Sequence, residues 1–347
     1  MTEPSASPPV AVLIVTHDDA PDVPACLAAV AALRHRPLEL VIVDCASGDG
    51  SAAVARQAAP PAVATTVVEA DRNLGFAGGM NEALRRTDAP FVLSLNADAR
   101  PAPDYVTRLL PHLLAPGRRV AAATGRLLRP PGGGPRLLDA CGMRLVRSWR
   151  HLDRGSGEVD RGQYARPERV FGATGAATLL ARAALDDVRF APELHDGETE
   201  GAVFDPDFHS FREDAELCFR FQERGWQVVY EPAAVAEHRR TSLPERRRQL
   251  PPAINYHSLK NRYLLRLYHQ TAGNLLRTLP ATLSRDVLAL GYVLLLERTS
   301  LPAYRWLWRN RRRILARRRW LAGRRLDPRA ADRWLACDGL PLEPGPR

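Results

Sequence analysis

Residues 96–98, Asn-Ala-Asp, set an amide and a carboxylate two positions apart at the end of an apolar run, FVLSL (residues 91–95). Alternate side chains of an extended segment share a face, so Asn96 and Asp98 are placed to act together. Such a pair can hold a hard divalent cation against a diphosphate, although both residues are also ordinary turn formers. Asp44 closes a second run, LELVIVD (residues 38–44), where it can accept hydrogen bonds from a ribose or a base; Ser47 and Asp49 read as caps of the next helix. Thr16 ends a third run, VAVLIVT (residues 10–16), and Asp18 follows it. The segment DRNLGFAGGMN (residues 71–81), with Asn73, lets backbone approach a phosphate at a helix start, or is a plain glycine-rich turn. Its spacing is neither GxGxxG nor a P-loop. Glu213-Asp214 falls where an aromatic loop meets a helical pattern. One of these acids can take the proton from a hydroxyl nucleophile, or Asp214 can simply cap the helix. His238, taken alone, reads as a packed or surface residue.

The elements that carry these residues alternate. Unbroken β-rich runs suit strands buried on both faces of a parallel sheet. Strands are expected at residues 10–16, 38–44, 64–69 and 91–95, with helices at 23–33, 51–59 and 80–86 between them. That order predicts a right-handed, Rossmann-like α/β layer with a mostly parallel central sheet, and ligands of such sheets sit at the carboxyl ends of the strands. Residues 115–169, rich in Gly, Pro and Arg, read as short strands and loops. Residues 170–185 return to strand then helix, 214–224 to helix and 227–230 to a short strand, and from Ser242 Leu and Arg recur at helical spacing. The expected division is a disordered N-terminus (1–9), an α/β domain (10–241) and an Arg-rich helical extension (242–347).

With 45% hydrophobic and 25% charged residues, the chain has the composition of a soluble globular protein. Its net charge of +10 is concentrated in residues 301–330, which hold eleven Arg against one Asp. The five cysteines form no CxxC pair and suit buried thiols in a reducing cytoplasm. No secretory signal is expected from MTEPSASPPV. The longest apolar stretch, residues 287–296, is ten residues long and closed by Asp286 and Glu297, too short to span a bilayer. Nothing outside the tail offers a base-reading or stacking surface, which argues against a nucleic-acid partner.

Taken together, the motifs resemble the family 2 glycosyltransferases, which have the GT-A fold. The resemblance runs in order through VLIVTHDDAPDVPACLAAV, VIVDCASGDGSA, RNLGFAGGMNEAL, LNADA, FGATGAATLLARAAL, FDPDFHSFREDAELCFRFQERGW and VVYEPAAVAEHRRTS, over about residues 10–270. DRGQY and KNRYLLRLYH are similar to the subgroup labelled rhamnosyltransferase-like. The sequence departs from the family at Asn96, where Asp is usual, at Asp18 in place of Asn, at Val188-Arg189 in place of Val-Gly, and at residues 195–201, which look like an insertion.

The resemblance implies an inverting transfer of one sugar from a nucleotide-sugar donor (a dTDP-rhamnose-like, UDP- or GDP-sugar) to a hydroxyl of a glycan or lipid-linked acceptor, in polysaccharide or cell-envelope assembly. Thr16, Asp18, Asp44, Asn73, Asn96 and Asp98 would line the donor pocket. Asp98 and His238 would hold Mg²⁺ or Mn²⁺, and Asp214 would be the catalytic base. Glu213, Phe211 and Trp226 are acceptor-side candidates. Processive relatives carry QxxRW and membrane spans; here Gln222 to Trp226 has a different spacing. A sugar-phosphate nucleotidyltransferase is the alternative enzyme, and a non-catalytic nucleotide-sugar-binding protein the other reading. The first is disfavoured by THDDAPD, which lacks the Gly- and Arg/Lys-bearing loop such enzymes carry after their opening strand. The second is disfavoured by the presence of both Asp98 and Asp214. The expected location is the cytoplasm. The Trp and Arg residues around Trp306 to Arg319 suit a helix on the anionic inner face of the plasma membrane, or a helix packed on the domain with Arg in solvent.

Overall fold

The runs of Val, Leu and Ile at the N-terminus form strands with no accessible face. Val10 to Leu13, Val41 to Val43 and Val92 to Leu95 are nearly all fully buried, each large side chain contributing about 1.5–3 kcal/mol by leaving water. The structure is a computed structural model that describes residues 7–195, 201–240, 250–335 and 337–342. The expected disordered N-terminus and the insertion therefore fall largely outside the described residues.

The first half reads β1 (Val10–Thr16), α1 (Val23–Ala32), β2 (Leu38–Asp44), α2 (Ser51–Ala58), β3 (Ala64–Glu69), α3 (Gly75–Leu84), β4 (Phe91–Asn96), β5 (Ala99–Pro101) and α4 (Tyr105–Leu113). Next come β6 (Val120–Leu128), β7 (Leu138–Ala140), β8 (Met143–Val146), β9 (Arg150–Asp153), β10 (Glu168–Val170), β11 (Ala177–Ala181) and α5 (Arg182–Val188). The chain closes with α6 (Glu213–Glu223), β12 (Gln227–His238), α7 (Pro252–His269), α8 (Ala272–Leu295), α9 (Pro302–Arg309), α10 (Arg311–Arg324) and β13 (Leu340–Pro341). Among the described residues, one sheet runs β13-β10-β12-β6-β11-β4-β1-β2-β3. The β3-β2-β1-β4 half is parallel throughout. Antiparallel β11 then separates it from the parallel pair β6-β12.

Two regions differ from expectation. Residues 115–169 are not only short strands and loops, because β6 is a nine-residue strand in the middle of the sheet. Its run of Ala and Gly hides it from β-propensity, yet small residues are what the packing demands: a Cβ on Gly125 would stand 2.2 Å from the Ala234 carbonyl oxygen. The short strand expected at residues 227–230 continues to His238, passing a register shift between Glu231 and Val235 that accommodates Pro232.

The C-terminal helices have one small cluster of their own, Leu259, Val293 and Ala303, and otherwise share their core with the α/β layer. Leu264, Leu265 and Tyr268 of α7 and Ile314 and Leu321 of α10 share one apolar cluster with Phe171, Phe208 and Phe219 of the α/β layer. Arg317 of α10 is buried on Asp205, 3.0 Å away, and Arg324 donates to the Asp187 carbonyl at 2.7 Å. The arginine-rich tail thus uses part of its charge to dock on the domain, while Arg305, Arg309, Arg311, Arg312 and Arg319 stay exposed. No single helix among the described residues is long and apolar enough to cross a membrane.

Candidate active site

The extension of β12 past Pro232 pairs His238 with Ala99 of β5, the residue after Asp98. This brings His238 Nε2 to 3.1 Å from Asp98 Oδ1 and to 3.4 Å from the Asn96 amide. The other ring nitrogen, Nδ1, lies 2.7 Å from Asp139 Oδ2 of β7. Burial disfavours the charged ring, but the hydrogen bonds and charges of Asp139 and Asp98 outweigh it and push His238 up to about 9. Burial likewise works against ionised Asp98, and the adjacent imidazolium overcomes it, holding the carboxyl below its usual range. Arg240, with φ of 49°, spans Asp139 at 3.3 Å and Asp153 at 2.6 Å.

These residues suit a divalent cation. Asp139 holds Nδ1, so Nε2 is the nitrogen left to face a metal, and a carboxylate on the far side of a ligating imidazole fixes ring orientation and raises basicity. Cation binding would displace the Nε2 proton and part the two groups, since metal–ligand bonds are about 2.0–2.2 Å. Among the described residues no set of three His, Cys, Asp or Glu side chains converges as a metal site. Two protein ligands fit a cation whose remaining positions are filled by substrate phosphates and water, as is usual for Mg²⁺.

On the β1-β2 side the loops tie themselves together. Asp44 is buried and accepts from Thr16 Oγ1 at 2.9 Å and from Ser47 Oγ at 2.5 Å. Asp18, with φ of 59°, accepts from Gly48 N at 2.7 Å while its own N–H donates to Ser47 Oγ at 3.0 Å. Asp49 accepts from the N–H of Ser51, the first residue of α2, at 3.0 Å, but the N-cap is Gly50, so neither Asp49 nor Ser47, which is engaged with Asp44 and Asp18, takes the capping position expected of it. Asn73 Oδ1 accepts from Gly75 N at 2.8 Å and so sets the start of α3.

Asp214 enters the same edge at the first turn of α6. Its Oδ2 accepts from Gly175 N at 3.1 Å, and its Oδ1 from Ala215 N at 2.7 Å. The loop carrying Gly175 is fixed to β4: Ser94 Oγ donates to the Gly175 carbonyl at 2.7 Å, and Asn96 N to the Ala176 carbonyl at 2.9 Å. One short loop therefore links the residues beside Asp214 to the strand end that bears Asn96 and Asp98. Burial raises Asp214 to about 6; the two N–H donors pull it down, and the charge of Asp153 pushes it up. Glu213 beside it is 6% exposed, its Oε2 has no hydrogen-bond partner, and burial and then Asp214 raise it well above the usual carboxyl range.

The approach to α6 is strained. His209, Phe211 and Arg212 all have φ between 62° and 74°, a region costly for residues with a Cβ. Asn261 of α7 holds this turn, its Nδ2 lying 2.8, 2.9 and 2.6 Å from the carbonyls of Phe208, Ser210 and Phe211. Across the turn, Ala77 N donates to the His209 carbonyl at 2.9 Å, joining the loop before Asp214 to α3. Phe211 thus borders the site. Trp226 does not: it follows the far end of α6, about 15 Å from Asp214 at 1.5 Å per residue, with Nε1 donating to Asp187 at 2.7 Å. Asp139, Arg240, Asn261 and Gly175 were not singled out in the sequence; a lone acid among apolar residues in LLDAC was the one signal for Asp139.

The mixed α/β chain thus carries, at one edge of a large central sheet, a carboxylate–imidazole pair and an acid at a helix start. The profile of glycosyl transferase family 2 matches residues 11–188, just over half of the chain, and the protein belongs to that family. Among solved structures, it is similar to the mannosyltransferase PcManGT of Pyrobaculum calidifontis, in complex with GDP-Man and Mn²⁺, with a TM-score of 0.51, 18% identity, and coverage of 96% of this chain and 91% of that one. TarS 1-349 of S. aureus with UDP gives a TM-score of 0.51 at 14% identity, covering 93% and 89%. GalNAc-T7 with UDP, GalNAc and Mn²⁺ gives 0.56 at 14% identity, covering 77% and 49%. At these identities the likeness is one of fold. No curated protein sequence matches the chain.

Proposed function

We propose that the chain is an inverting glycosyltransferase that moves one sugar from a nucleotide-sugar donor to a hydroxyl of a glycan or lipid-linked acceptor, in polysaccharide or cell-envelope assembly. The observation that supports this reading is the Gly175 loop, which bonds to Asp214 and to Ser94 of β4, the strand that leads to Asp98 and its partner His238. The donors read from the motifs are a dTDP-rhamnose-like, UDP- or GDP-sugar, in a rhamnosyltransferase-like subgroup. The GDP-Man and UDP complexes of proteins of similar fold support a donor of that class.

Asp98 and His238 would hold the cation, Mg²⁺ or Mn²⁺, with Asp139 keeping the ring turned toward it. When bound, the cation supplies Lewis-acid stabilisation of the charge that develops on the departing diphosphate. Thr16, Asp18, Asp44 and Asn73 shape the nucleotide side. Asp214 Oδ atoms take the proton of the acceptor hydroxyl as its oxygen bonds to the anomeric carbon and the bond to diphosphate breaks. Attack from the face opposite the leaving group inverts that centre. Burial that lifts Asp214 to about 6 suits this task, because a base works best with a pKa near the working pH. We place the protein in the cytoplasm, with its exposed tail arginines toward the membrane's inner face.

Heat stability measured with a panel of UDP-, dTDP- and GDP-sugars plus Mn²⁺ tests the reading, since a ligand at 100 times its Kd adds about 2.7 kcal/mol. One class of nucleotide sugar should raise Tm, and NMR of the product should show an inverted anomeric centre. Absence of stabilisation by every donor, or a retained anomer, overturns it.

A further inference from the structure

The hairpin of β8 and β9 is fastened to the surroundings of Asp214 at three points. Met143 of β8 bridges Gly172, its N–H donating to the Gly172 carbonyl at 2.7 Å. Gly172 leads into the loop whose Gly175 N–H donates to Asp214, and a Cβ on it would stand 2.9 Å from Cys218 of α6. Asp153 of β9 pairs across the hairpin with this same Met143. His151, two residues back on the same face of β9, is the second tie. Its Nδ1 lies 3.3 Å from Nη1 of Arg212, the residue before α6. Arginine only donates, so Nδ1 accepts and the ring is neutral.

The third tie is charged. Arg240 Nη2 lies 2.6 Å from Asp153 Oδ2, and its Nη1 3.3 Å from Asp139 Oδ1, so one guanidinium joins the hairpin to the acid behind His238. Burial works against the charged guanidinium, and Asp153 and then Asp139 overcome it, holding Arg240 above the usual arginine range. Asp214 is thus surrounded by named groups. Arg212 and Glu213 face it from the start of its own helix, the N–H groups of Gly175 and Ala215 bond to it, and Asp153 brings a carboxylate from outside α6. Cys218, one turn along α6, is pushed up to about 12 by burial and stays neutral.

We propose that Asp153 and Arg240 are positioning residues for the base: Asp153 places a second negative charge beside Asp214, and Arg240 balances that charge by holding the Asp153 carboxylate. The proposal rests on the glycosyltransferase reading, and it deepens that reading by naming what tunes the proton acceptor. A like charge nearby disfavours ionisation, and an opposite charge favours it. Asp153 therefore makes Asp214 a stronger proton acceptor than an isolated carboxylate, which suits a base working near neutral pH. Arg240 opposes this, so that Asp214 still ionises at that pH. Its attachment to Asp139 also ties the hairpin to the strand end that bears His238, so the acid that tunes the base is fixed from the cation side.

The test needs no substrate. In the full chain, with aspartate side-chain carboxyls labelled with ¹³C, the Asp214 signal is identified by its loss in Asp214→Asn and followed with pH. Asp153→Asn should move its midpoint down and Arg240→Gln should move it up. Each shift should be about half a unit to one unit, about a three- to tenfold change in proton affinity. Arg240→Lys, which keeps the charge, should titrate near wild type. A contact that merely holds the hairpin in place would move Asp153→Asn and Arg240→Gln in the same direction. Shifts of one sign, or none, overturn the proposal. Cooperative melting shows that each variant is folded, and Asp153→Ser removes the same charge by a second route. With a donor found by the heat-stability panel, the acid limb of turnover should follow the midpoint. At pH 5, Asp153→Asn should keep about three- to fivefold more of its plateau rate than wild type does; an unmoved limb overturns the catalytic part. If the midpoints move and no nucleotide sugar stabilises the protein, the enzyme reading fails alone. If a nucleotide sugar stabilises it and the midpoints stay, this inference fails alone.

Discussion

The two rims of the site are held by different means. On the rim proposed to take the donor, Thr16, Asp18, Asp44 and Ser47 bond to one another across adjacent strand-end loops. On the rim proposed to carry the base, Asp214 is placed by long-range contacts: the Gly175 N–H, a turn with three left-handed residues, and Asn261, about 50 residues further along the chain. The donor rim is a consequence of parallel-sheet topology, which sends successive loops to one edge. The loop before Asp214 is tied to α7 by Asn261 and to α10 through Asp207, which pairs with Arg313 and Arg317.

The largest break in this comparison is expected from Asp214→Asn. Turnover should fall by about 10²–10⁴-fold, the usual worth of a positioned base, while donor affinity by calorimetry stays near wild type; unchanged turnover removes Asp214 from the role. Asp139→Asn should weaken Mn²⁺ affinity by about 10–100-fold, as loss of a partner behind a metal-bound imidazole does, with activity recovering at high Mn²⁺. If the metal titration is unaltered, Asp139 does not orient His238.

Acid should act on the base rim first. Asp214, raised to about 6, must be ionised to accept a proton. At saturating substrate the rate should therefore fall roughly tenfold per pH unit below that value, each unit being about 1.36 kcal/mol; a flat profile down to about pH 5 contradicts the assignment. The smallest effect concerns stability. Because Glu213 is raised in the folded state, wild type loses stability as pH climbs from the ordinary carboxyl range toward that raised value, by at most about 1.4 kcal/mol per unit. Glu213→Gln has no such loss. Its Tm advantage should widen as pH rises above the ordinary carboxyl range in a fluorescence melt, and a constant offset would show that Glu213 is not raised in the folded state.

Legibility in the sequence divides along the same line. β1, β2 and β3 begin and end at the residues expected from their apolar runs, and the acids that end β1 and β2 share the ligand edge. The β1 and β2 runs are continuous, so burial on both faces writes itself into composition, whereas β3 is an edge strand and largely exposed. The rest depends on tertiary packing. The central strand β6 is spelled in Ala, Thr and Gly because Ala234 approaches it closely. The extension of β12 to His238 passes a proline that argues for a strand end. Asp139 meets a partner 99 residues away and Asn261 one that is 50 residues away, which no local pattern reveals. Trp226 shows the converse: an aromatic near the base in sequence is carried to the far end of α6 by the helix between them.

One titration addresses the central claim, that Asp98 and His238 grip a cation on the diphosphate while Asp214 faces the incoming alcohol. Nucleotide-dependent Mn²⁺ binding, followed by calorimetry in wild type, His238→Ala and Asp214→Asn, should fall by at least about 10-fold in the first variant and stay near wild type in the second. Turnover should be lost in both. Full Mn²⁺ affinity in His238→Ala, or its loss in Asp214→Asn, would contradict the account.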